Sequence, residues 1–82
     1  MNLIELTEEI VKSLVVHKDG VSVKEFPTDE ENVMLIQVMV EEEDMGRVIG
    51  KEGRTANAIR TLVQASSALQ DNKYIKIDID KF

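Results

Sequence analysis

The sequence predicts one α+β domain in which three strands form a mixed sheet and the helices pack on one face of it. A chain of 82 residues has room for a single hydrophobic core. Apolar residues alternate in some segments and recur at spacings of three and four in others, which indicates both strands and helices. These segments follow one another as helix, strand, strand, helix, helix, strand. Residues 1–82 should therefore form one folded unit.

The first predicted helix begins near the N-terminus and ends at Asp19 and Gly20. Asn2, with Glu5 three residues later, resembles a capping box, which satisfies the N–H groups at a helix start. An Asp-Gly pair is typical of a helix end. The apolar stripe of this helix consists of Leu3, Leu6, Ile10, Val11, Leu14 and Val15.

Two strands are predicted next, over residues 21–26 and 33–40. The second has the stronger pattern, because all its even positions are apolar and should face the core. Its odd positions are more apolar than plain exposure to solvent requires. The polar residues 27–32 form a turn between the strands. A connection this short predicts that they pair antiparallel.

Two helices should follow, a short one over 44–49 and a longer one over 54–69. We expect Asp44 to be the N-cap residue of the short helix. The apolar arc of the long helix spans roughly 160° at 100° per residue. Its predicted centre consists of Ile59, Leu62, Val63 and Ser66, and its flanks of Ala56, Ala58, Ala65 and Leu69.

The last predicted strand covers residues 74–80, after a turn at Asp71 and Asn72. Isoleucines alternate there with polar residues, as in a strand with one buried face. The two preceding helices form a crossover, so the second and third strands should be parallel neighbours. The result is a two-layer α+β domain.

Charge is distributed unevenly along the chain. The net charge is −6 overall, but residues 45–62 carry +3 and the remainder −9. A polyanion should therefore bind only at this basic segment, and the acidic remainder should suppress non-specific adhesion. The cations of the segment are Arg47, Lys51, Arg54 and Arg60, and its anion is Glu52.

Composition argues against several classes of protein. The absence of cysteine rules out disulfides and thiolate metal sites and suits a reducing cytoplasm. No apolar run approaches the roughly 20 residues of a membrane span, and no leader pattern opens the chain. Residues 41–44 could be imagined as a magnesium site, although a solvated connector is the plainer interpretation. Without a catalytic triad or histidine cluster, we expect a cytoplasmic protein that is not an enzyme and needs no cofactor.

Gly50 and Gly53 enclose Lys51 and Glu52 between the two predicted helices. Glycine can adopt positive φ and lets another backbone approach closely. The N–H groups that open a helix bind phosphate, and Lys51 and Arg54 add positive charge there. The segment is therefore suited to contact with a nucleic-acid backbone.

Other interpretations of these glycines differ in how well they fit. A Walker loop needs four residues between its glycines and Ser or Thr after its Lys, whereas Gly46 and Gly50 enclose three and Glu52 follows Lys51. The dinucleotide-binding pattern does not fit either. No aromatic residue lies in the basic segment, which argues against a base-stacking platform. A plain helix–helix connection remains open.

Residues 48–53, Val-Ile-Gly-Lys-Glu-Gly, resemble the GXXG signature of KH domains, and the order of elements resembles their type II arrangement (α-β-β-α-α-β). The sequence of residues 44–51 and 53–61, together with the small size of the chain, resembles that of the small bacterial KhpA (YlqC-type) family. The resemblance covers nearly the whole chain and implies a single KH domain over 1–82.

This resemblance implies that the chain binds single-stranded RNA, with the loop clamping about four nucleotides. It also implies a homodimer or a heterodimer with a larger KhpB-type KH protein. The resemblance further implies a role as an RNA chaperone or post-transcriptional regulator. In some bacteria it implies a role in cell shape and division. The implied RNA-binding residues are Arg47, Ile49, Gly50, Lys51, Glu52, Gly53, Arg54, Ala56, Asn57 and Arg60.

Two residues depart from the usual KH pattern. Glu52 places an anion between the glycines, which weakens binding if it faces the phosphates. Ala56 lies where many KH domains carry a larger aliphatic residue, which predicts a shallower or wider groove. Ile49 and Ile59 would complete an apolar floor of this groove.

An alternative function uses the KH fold as a scaffold for dimerisation or protein interaction, with RNA bound mainly through a partner. An apolar strip on so small a domain is seldom left uncovered. The interacting surface would be the odd face of the second strand or the flank of the long helix at Leu62, Ala65 and Leu69.

Overall fold

The computed structural model describes residues 2–70 and 72–82, and within them it has the predicted order of elements. The helices are α1 (Leu3–Lys12), α2 (Met45–Ile49) and α3 (Arg54–Gln70). The strands are β1 (Ser22–Phe26), β2 (Val33–Val40) and β3 (Tyr74–Lys81). Short 3-10 turns cover Lys18–Gly20, Glu42–Asp44 and Lys51–Gly53. The α+β fold class is confirmed.

β2 is the central strand of the sheet, and β1 and β3 form its two edges. As predicted, β2 pairs antiparallel with β1 and parallel with β3. Ile36 lies opposite Glu25 on one side and Ile77 on the other. Successive side chains of a strand point to opposite faces, so the even positions of β2 are buried while its odd positions are half-buried.

The hydrophobic core lies between the sheet and the three helices. Every helix contributes to it, and β2 supplies its middle. This packing fixes α2 and α3 on the sheet, and so positions the turn between them. The hydrophobic residues with no exposed surface are Val11 of α1, Val48 of α2, Val63 of α3, and Ile36, Val38 and Val40 of β2.

α1 ends at Lys12, well before the predicted end at Asp19 and Gly20. The Ser13 hydroxyl donates a hydrogen bond to the Ile10 carbonyl oxygen at 2.6 Å, and the last turn tightens. Val15 still packs into the core, but from a segment outside the helix. The apolar stripe therefore predicted burial correctly and helix length incorrectly.

Asp44 gives the physical reason why the chain leaves the helix. Its two carboxylate oxygens accept the backbone N–H groups of Val16 and His17, each at 3.0 Å. Asp44 does precede α2, but its side chain makes no capping hydrogen bond there. Asp44 is therefore the N-cap residue of α2 as predicted, but its carboxylate binds the backbone N–H groups of the segment after α1 and none of those of α2.

α3 buries a face slightly rotated from the predicted one. Leu62 is exposed and Ser66 only half-buried, so neither lies at the centre of the buried face. The serine at the centre is Ser67, whose hydroxyl donates to the Lys73 carbonyl oxygen at 2.8 Å and accepts its N–H at 3.1 Å. The buried residues of α3 are Ala56, Ile59, Val63 and Ser67.

The turn after α3 was predicted at Asp71 and Asn72, and Asp71 lies outside the described residues. Asn72 adopts the left-handed conformation with φ of 54°. Its N–H donates to the Ser67 carbonyl oxygen at 2.6 Å, which closes the end of the helix. Asparagine tolerates this conformation better than most residues, which agrees with the prediction of a turn at this position.

Candidate nucleic-acid interface

The turn between α2 and α3 contains three residues with positive φ. Gly50 has φ of 77° and ψ of 174°, a combination open essentially to glycine alone. Glu52 has φ of 57° and Gly53 has φ of 77°. The Gly50 N–H donates to the Gly46 carbonyl oxygen at 2.9 Å, and the Gly53 N–H donates to the Gly50 carbonyl oxygen at 3.2 Å. The turn is thus closed by its own backbone.

The two glycines of the turn serve different needs. A Cβ on Gly50 would overlap the Thr55 hydroxyl and lie 2.7 Å from the Thr55 Cβ. Among the residues that the structure describes, nothing lies within 4 Å of the corresponding position on Gly53. Gly50 is therefore required for close packing as well as for its dihedral angles, whereas Gly53 is required for its dihedral angles only.

Three cations flank this turn at the surface. The Arg47 Nη1 donates to the Glu43 carbonyl oxygen at 3.2 Å and lies 3.5 Å from an Asp44 carboxylate oxygen. The Lys51 side chain is exposed. The Arg54 Nη2 lies 3.7 Å from a Glu52 carboxylate oxygen, and the two side chains are 77% and 69% exposed. So exposed a pair is weak, and a phosphate can displace it.

α3 carries two further predicted residues: Arg60, which contacts the outer edge of β3, and Asn57, which contacts Arg60. The Arg60 Nε and Nη2 both donate to the Ile77 carbonyl oxygen, at 3.4 and 3.3 Å. Its Nη1 donates to the Asn57 side-chain oxygen at 3.3 Å. Arg60 therefore lies across the groove between α3 and the edge of the sheet.

Gln64 continues this row one helical turn further along α3. Its side-chain oxygen accepts the Ile75 N–H at 2.8 Å, and its amide donates to the Lys73 carbonyl oxygen at 2.9 Å. A shallow depression of about 500 Å³ extends the groove at this point. Its lining consists of Arg60, Thr61, Gln64, Ala65, Tyr74 and Ile75.

The predicted apolar floor is only partly at the surface. Ala56 and Ile59 are each 2% exposed and belong to the packing of α3 on the sheet. Ile49, at the end of α2, is half-buried and does reach the surface. The structure therefore brings the glycines, the cations and Ile49 together, and places Ala56 and Ile59 beneath them.

Asp44 supports this site from inside the protein. Burial alone would raise the pKa of its carboxyl group, but the hydrogen bonds from the Val16 and His17 N–H groups and the nearby charge of Arg47 hold the pKa below its ordinary value. The buried side chain is therefore a carboxylate at neutral pH. It joins the segment after α1 to the start of α2, and so helps to fix the helix that leads into the turn.

The predicted dimer residues lie on the outer side of α3. Leu62 is 54% exposed and Leu69 is 88% exposed, and Ala65 lies exposed between them. Ala58, also exposed, extends this stripe toward the turn. The spacing of four, three and four residues is that of a heptad seam between two helices.

Within residues 2–70 and 72–82, no group of three or more His, Cys, Asp or Glu side chains is placed to hold a metal ion. The helices of the same residues include none that is long and apolar enough to cross a membrane.

Sequence reasoning did not identify Thr55 or Gln64 as parts of this site. The i, i+4 spacing of Arg60 and Gln64 indicates that the two share one face of α3. Their partners, however, are backbone groups of β3, which leave no mark in residue type. Thr55 has its role only because Gly50 folds back against it.

Comparisons with known proteins agree with this geometry. A family model described as "KhpA/KhpB, KH domain" matches residues 4–79. RNA-binding protein KhpA of Clostridium acetobutylicum is 47% identical over 75 residues, which cover 92% of this chain and 96% of that protein. RNA-binding protein KhpA of Thermotoga maritima is 41% identical over 75 residues, covering 92% and 95%.

Two solved structures of Era contain the same fold. One, from Aquifex aeolicus with GDP and AlF4⁻, has a TM-score of 0.72 at 20% identity and covers 98% of this chain and 30% of that chain. The other, in complex with MgGDPNP and nucleotides 1506–1542 of 16S ribosomal RNA, has a TM-score of 0.67 at 19% identity and covers 96% and 29%. The chain thus spans less than a third of each Era chain, and the likeness shows the fold alone.

Proposed function

The chain belongs to the KhpA/KhpB family of KH domains, and on this premise we propose that it binds single-stranded RNA by clamping the backbone at the turn from Gly50 to Gly53. Its relatives are RNA-binding proteins, and the family is not one of enzymes. The ligand is therefore a polyanion that is held and not chemically changed.

The observation that carries the proposal is the turn itself. Gly50 and Gly53 hold left-handed backbone at the start of the long helix α3, where a helix end attracts anions. This point lies within residues 45–62, which carry a net charge of +3 in a chain whose net charge is −6. An acidic protein with a local basic turn should select a phosphate backbone at that turn.

Besides the two glycines, the predicted residues other than Glu52 each have a place in this proposal. Arg47, Lys51 and Arg54 neutralise phosphates, and the N–H groups of the turn donate to phosphate oxygens. Ile49 offers an apolar contact to a base. Asn57 and Arg60 contact bases along the edge of β3, while Ala56 supports α3 from beneath.

Reversing the charge of the turn tests the proposal. The double variant Lys51→Asp with Glu52→Asp should lose measurable binding to a fluorescein-labelled single-stranded RNA in an anisotropy titration. Its circular dichroism and melting temperature should match the wild type, because both side chains are exposed.

A matched control makes the same change of residues on a distant strand. Lys24→Asp with Glu25→Asp alters an exposed Lys-Glu pair of β1. It should retain RNA binding at the same ionic strength. Retained binding by the turn variant, or equal loss in both variants, would contradict the site.

A second function is favoured by the outer stripe of α3, which consists of Ala58, Leu62, Ala65 and Leu69. We propose that it pairs with the same helix of a second copy, or with the KH domain of a larger KhpB-type protein. Exposed leucines at heptad spacing on a helix are seldom left uncovered. Pairing would place two RNA-binding turns in one particle and raise the apparent affinity by bivalency.

We place this activity in the cytoplasm, because its proposed ligand is RNA and a chain without cysteine suits a reducing compartment. A single small clamp with few base contacts should bind many RNAs. That property suits an RNA chaperone or post-transcriptional regulator, and a role in cell shape or division would follow from its target RNAs.

A further inference from the structure

β3 is an edge strand, so the backbone groups on its outer side have no neighbouring strand to pair with. The backbone N–H and C=O groups of its even residues point toward β2, as the bond from the Tyr74 N–H to the Asn32 carbonyl oxygen shows. The backbone groups of its odd residues point to the outer edge, where Gln64 accepts the Ile75 N–H and Arg60 donates to the Ile77 carbonyl oxygen. A base lying in the groove beside α3 would meet this outer edge.

Arg60 changes the hydrogen-bonding character of that edge. A backbone carbonyl oxygen has two lone pairs, and Arg60 directs two donors, Nε and Nη2, at the one oxygen of Ile77. The acceptor that Ile77 would offer is therefore occupied. One N–H group on each of Arg60 Nη1 and Nη2 is left over, and with the outward N–H of Ile79 these donors remain on this side of the strand.

We infer that Arg60 determines which bases the groove accepts, a conclusion that rests on the proposed RNA-binding function. Adenine and cytosine carry an amino donor, N6 or N4, at the ring position where guanine and uracil carry a carbonyl oxygen, O6 or O4. At that position an amino group needs an acceptor such as the Ile77 carbonyl oxygen, whereas a carbonyl oxygen suits a guanidinium or an N–H group. With Arg60 in place, the groove prefers guanine and uracil to adenine and cytosine.

The location of Arg60 is consistent with this role. It lies six residues after Arg54 on the same helix, roughly 9 Å along the axis from the turn. Arg54 therefore reaches the phosphates at the turn, while Arg60 reaches the bases further along. The Asn57 side chain holds the guanidinium from its other side.

Base preference, and not affinity alone, tests the inference. The wild type should bind oligouridylate about fivefold or more tightly than oligoadenylate of equal length, measured by anisotropy at one salt concentration. Arg60→Met keeps the length of the side chain but removes its donors, which exposes the Ile77 carbonyl oxygen. The ratio of the two affinities should then fall to one or below.

Arg54→Met is the matched control, since it removes an arginine of the same helix that does not contact β3. It should weaken binding to both RNAs by the same factor and leave the ratio unchanged. Arg60→Lys provides a second variant if the methionine variant fails to fold: it keeps the charge, cannot place two donors on one oxygen, and should lower the ratio while retaining much of the affinity.

The outcomes separate this inference from the function beneath it. A wild type that binds RNA but prefers oligoadenylate overturns the inference alone. So does a ratio that is the same in the wild type and in the folded Arg60 variants. A wild type that binds neither RNA overturns the proposed function, and the inference with it.

Discussion

The hydroxyl of Thr55 occupies the space that a side chain on Gly50 would need. The first turn of α3 therefore packs directly on Gly50, the residue that follows α2, and the dihedral angles of Gly50 carry the chain between the two helices. The geometry of the clamp and the docking of α3 depend on the same contact. A change at Gly50 should affect both.

Gly50→Ala should lower both stability and RNA affinity. Its positive φ with extended ψ costs a residue with a Cβ about 1–3 kcal/mol, and the overlap with Thr55 adds to this. We expect the melting temperature to fall by about 10 °C in a domain of this size. Gly46→Ala is the control: it has open space and a helical backbone, so it should be neutral or stabilising by up to about 1 kcal/mol. Equal melting temperatures for the two variants would contradict this account.

Glu52→Asn should increase RNA affinity. The change removes the carboxylate that competes with phosphate for Arg54, and asparagine tolerates the left-handed conformation at this position. Exposed pairs contribute less than about 1 kcal/mol, so the gain should be up to about fivefold at low salt. Glu31→Asn, in the turn between β1 and β2, should leave the affinity unchanged. A lower affinity for Glu52→Asn would show that this carboxylate supports the turn.

Salt should weaken RNA binding to a limited extent. Three cations flank the turn, and each phosphate contact to single-stranded nucleic acid contributes about −0.7 to the slope of log affinity against log salt concentration. The slope should therefore be about −2, and about one third smaller in Arg54→Met. Titrations from low to physiological salt measure it. A slope near zero would exclude a phosphate clamp.

Stability should depend on pH through Asp44. The pKa of this group is lowered in the folded protein, so its contribution to stability is complete above the ordinary value of 3.8 and is lost as the pH falls through the lowered pKa. Asp44→Asn should melt several degrees below the wild type at pH 7, and the two melting temperatures should converge only as the pH falls below the ordinary value of 3.8 and through the lowered pKa. Asp78→Asn, an exposed carboxyl of β3, should show little difference at any pH. A difference for Asp44→Asn that persists at low pH would assign its effect to packing.

The sequence predicted those features that depend on periodicity or on special backbone requirements. The alternating isoleucines of β3 and the even positions of β2 gave the correct buried faces, and the glycines gave the position of the turn. The sequence could not reveal the contact of Asp44 with Val16 and His17. These residues are separated from Asp44 by 28 and 27 positions along the chain, so they meet it only in the folded protein. That contact is the reason the first helix was predicted too long.

The same limit applies to the site. Spacing identified Arg60 as a cation near the turn, but its bond to the Ile77 carbonyl oxygen depends on how α3 lies against β3. Sequence also placed Ala56 in the groove, whereas the rotation of α3 puts it in the core. Predicting the buried face of α3 to within one residue is therefore enough to predict the fold. It is not enough to predict which side chains line the site.

Leu62→Glu should convert a paired molecule into a monomer without changing the clamp. Leu62 is 54% exposed at the centre of the outer stripe of α3, so a charge there would be buried unpaired in any helix–helix interface. Sedimentation velocity at increasing concentration should show association for the wild type and none for the variant. Val16→Glu, an equally exposed aliphatic residue at 62% in the segment after α1, should associate like the wild type.

RNA binding distinguishes this surface from the clamp. The Leu62→Glu monomer should keep its affinity for an RNA long enough for one turn only, and should lose the extra affinity that two turns give on a longer RNA. A wild type that stays monomeric at high concentration would leave the larger KhpB-type partner as the occupant of the stripe. In that case Leu62→Glu should abolish the complex formed by mixing the two proteins, and if it does not, α3 is not the interface.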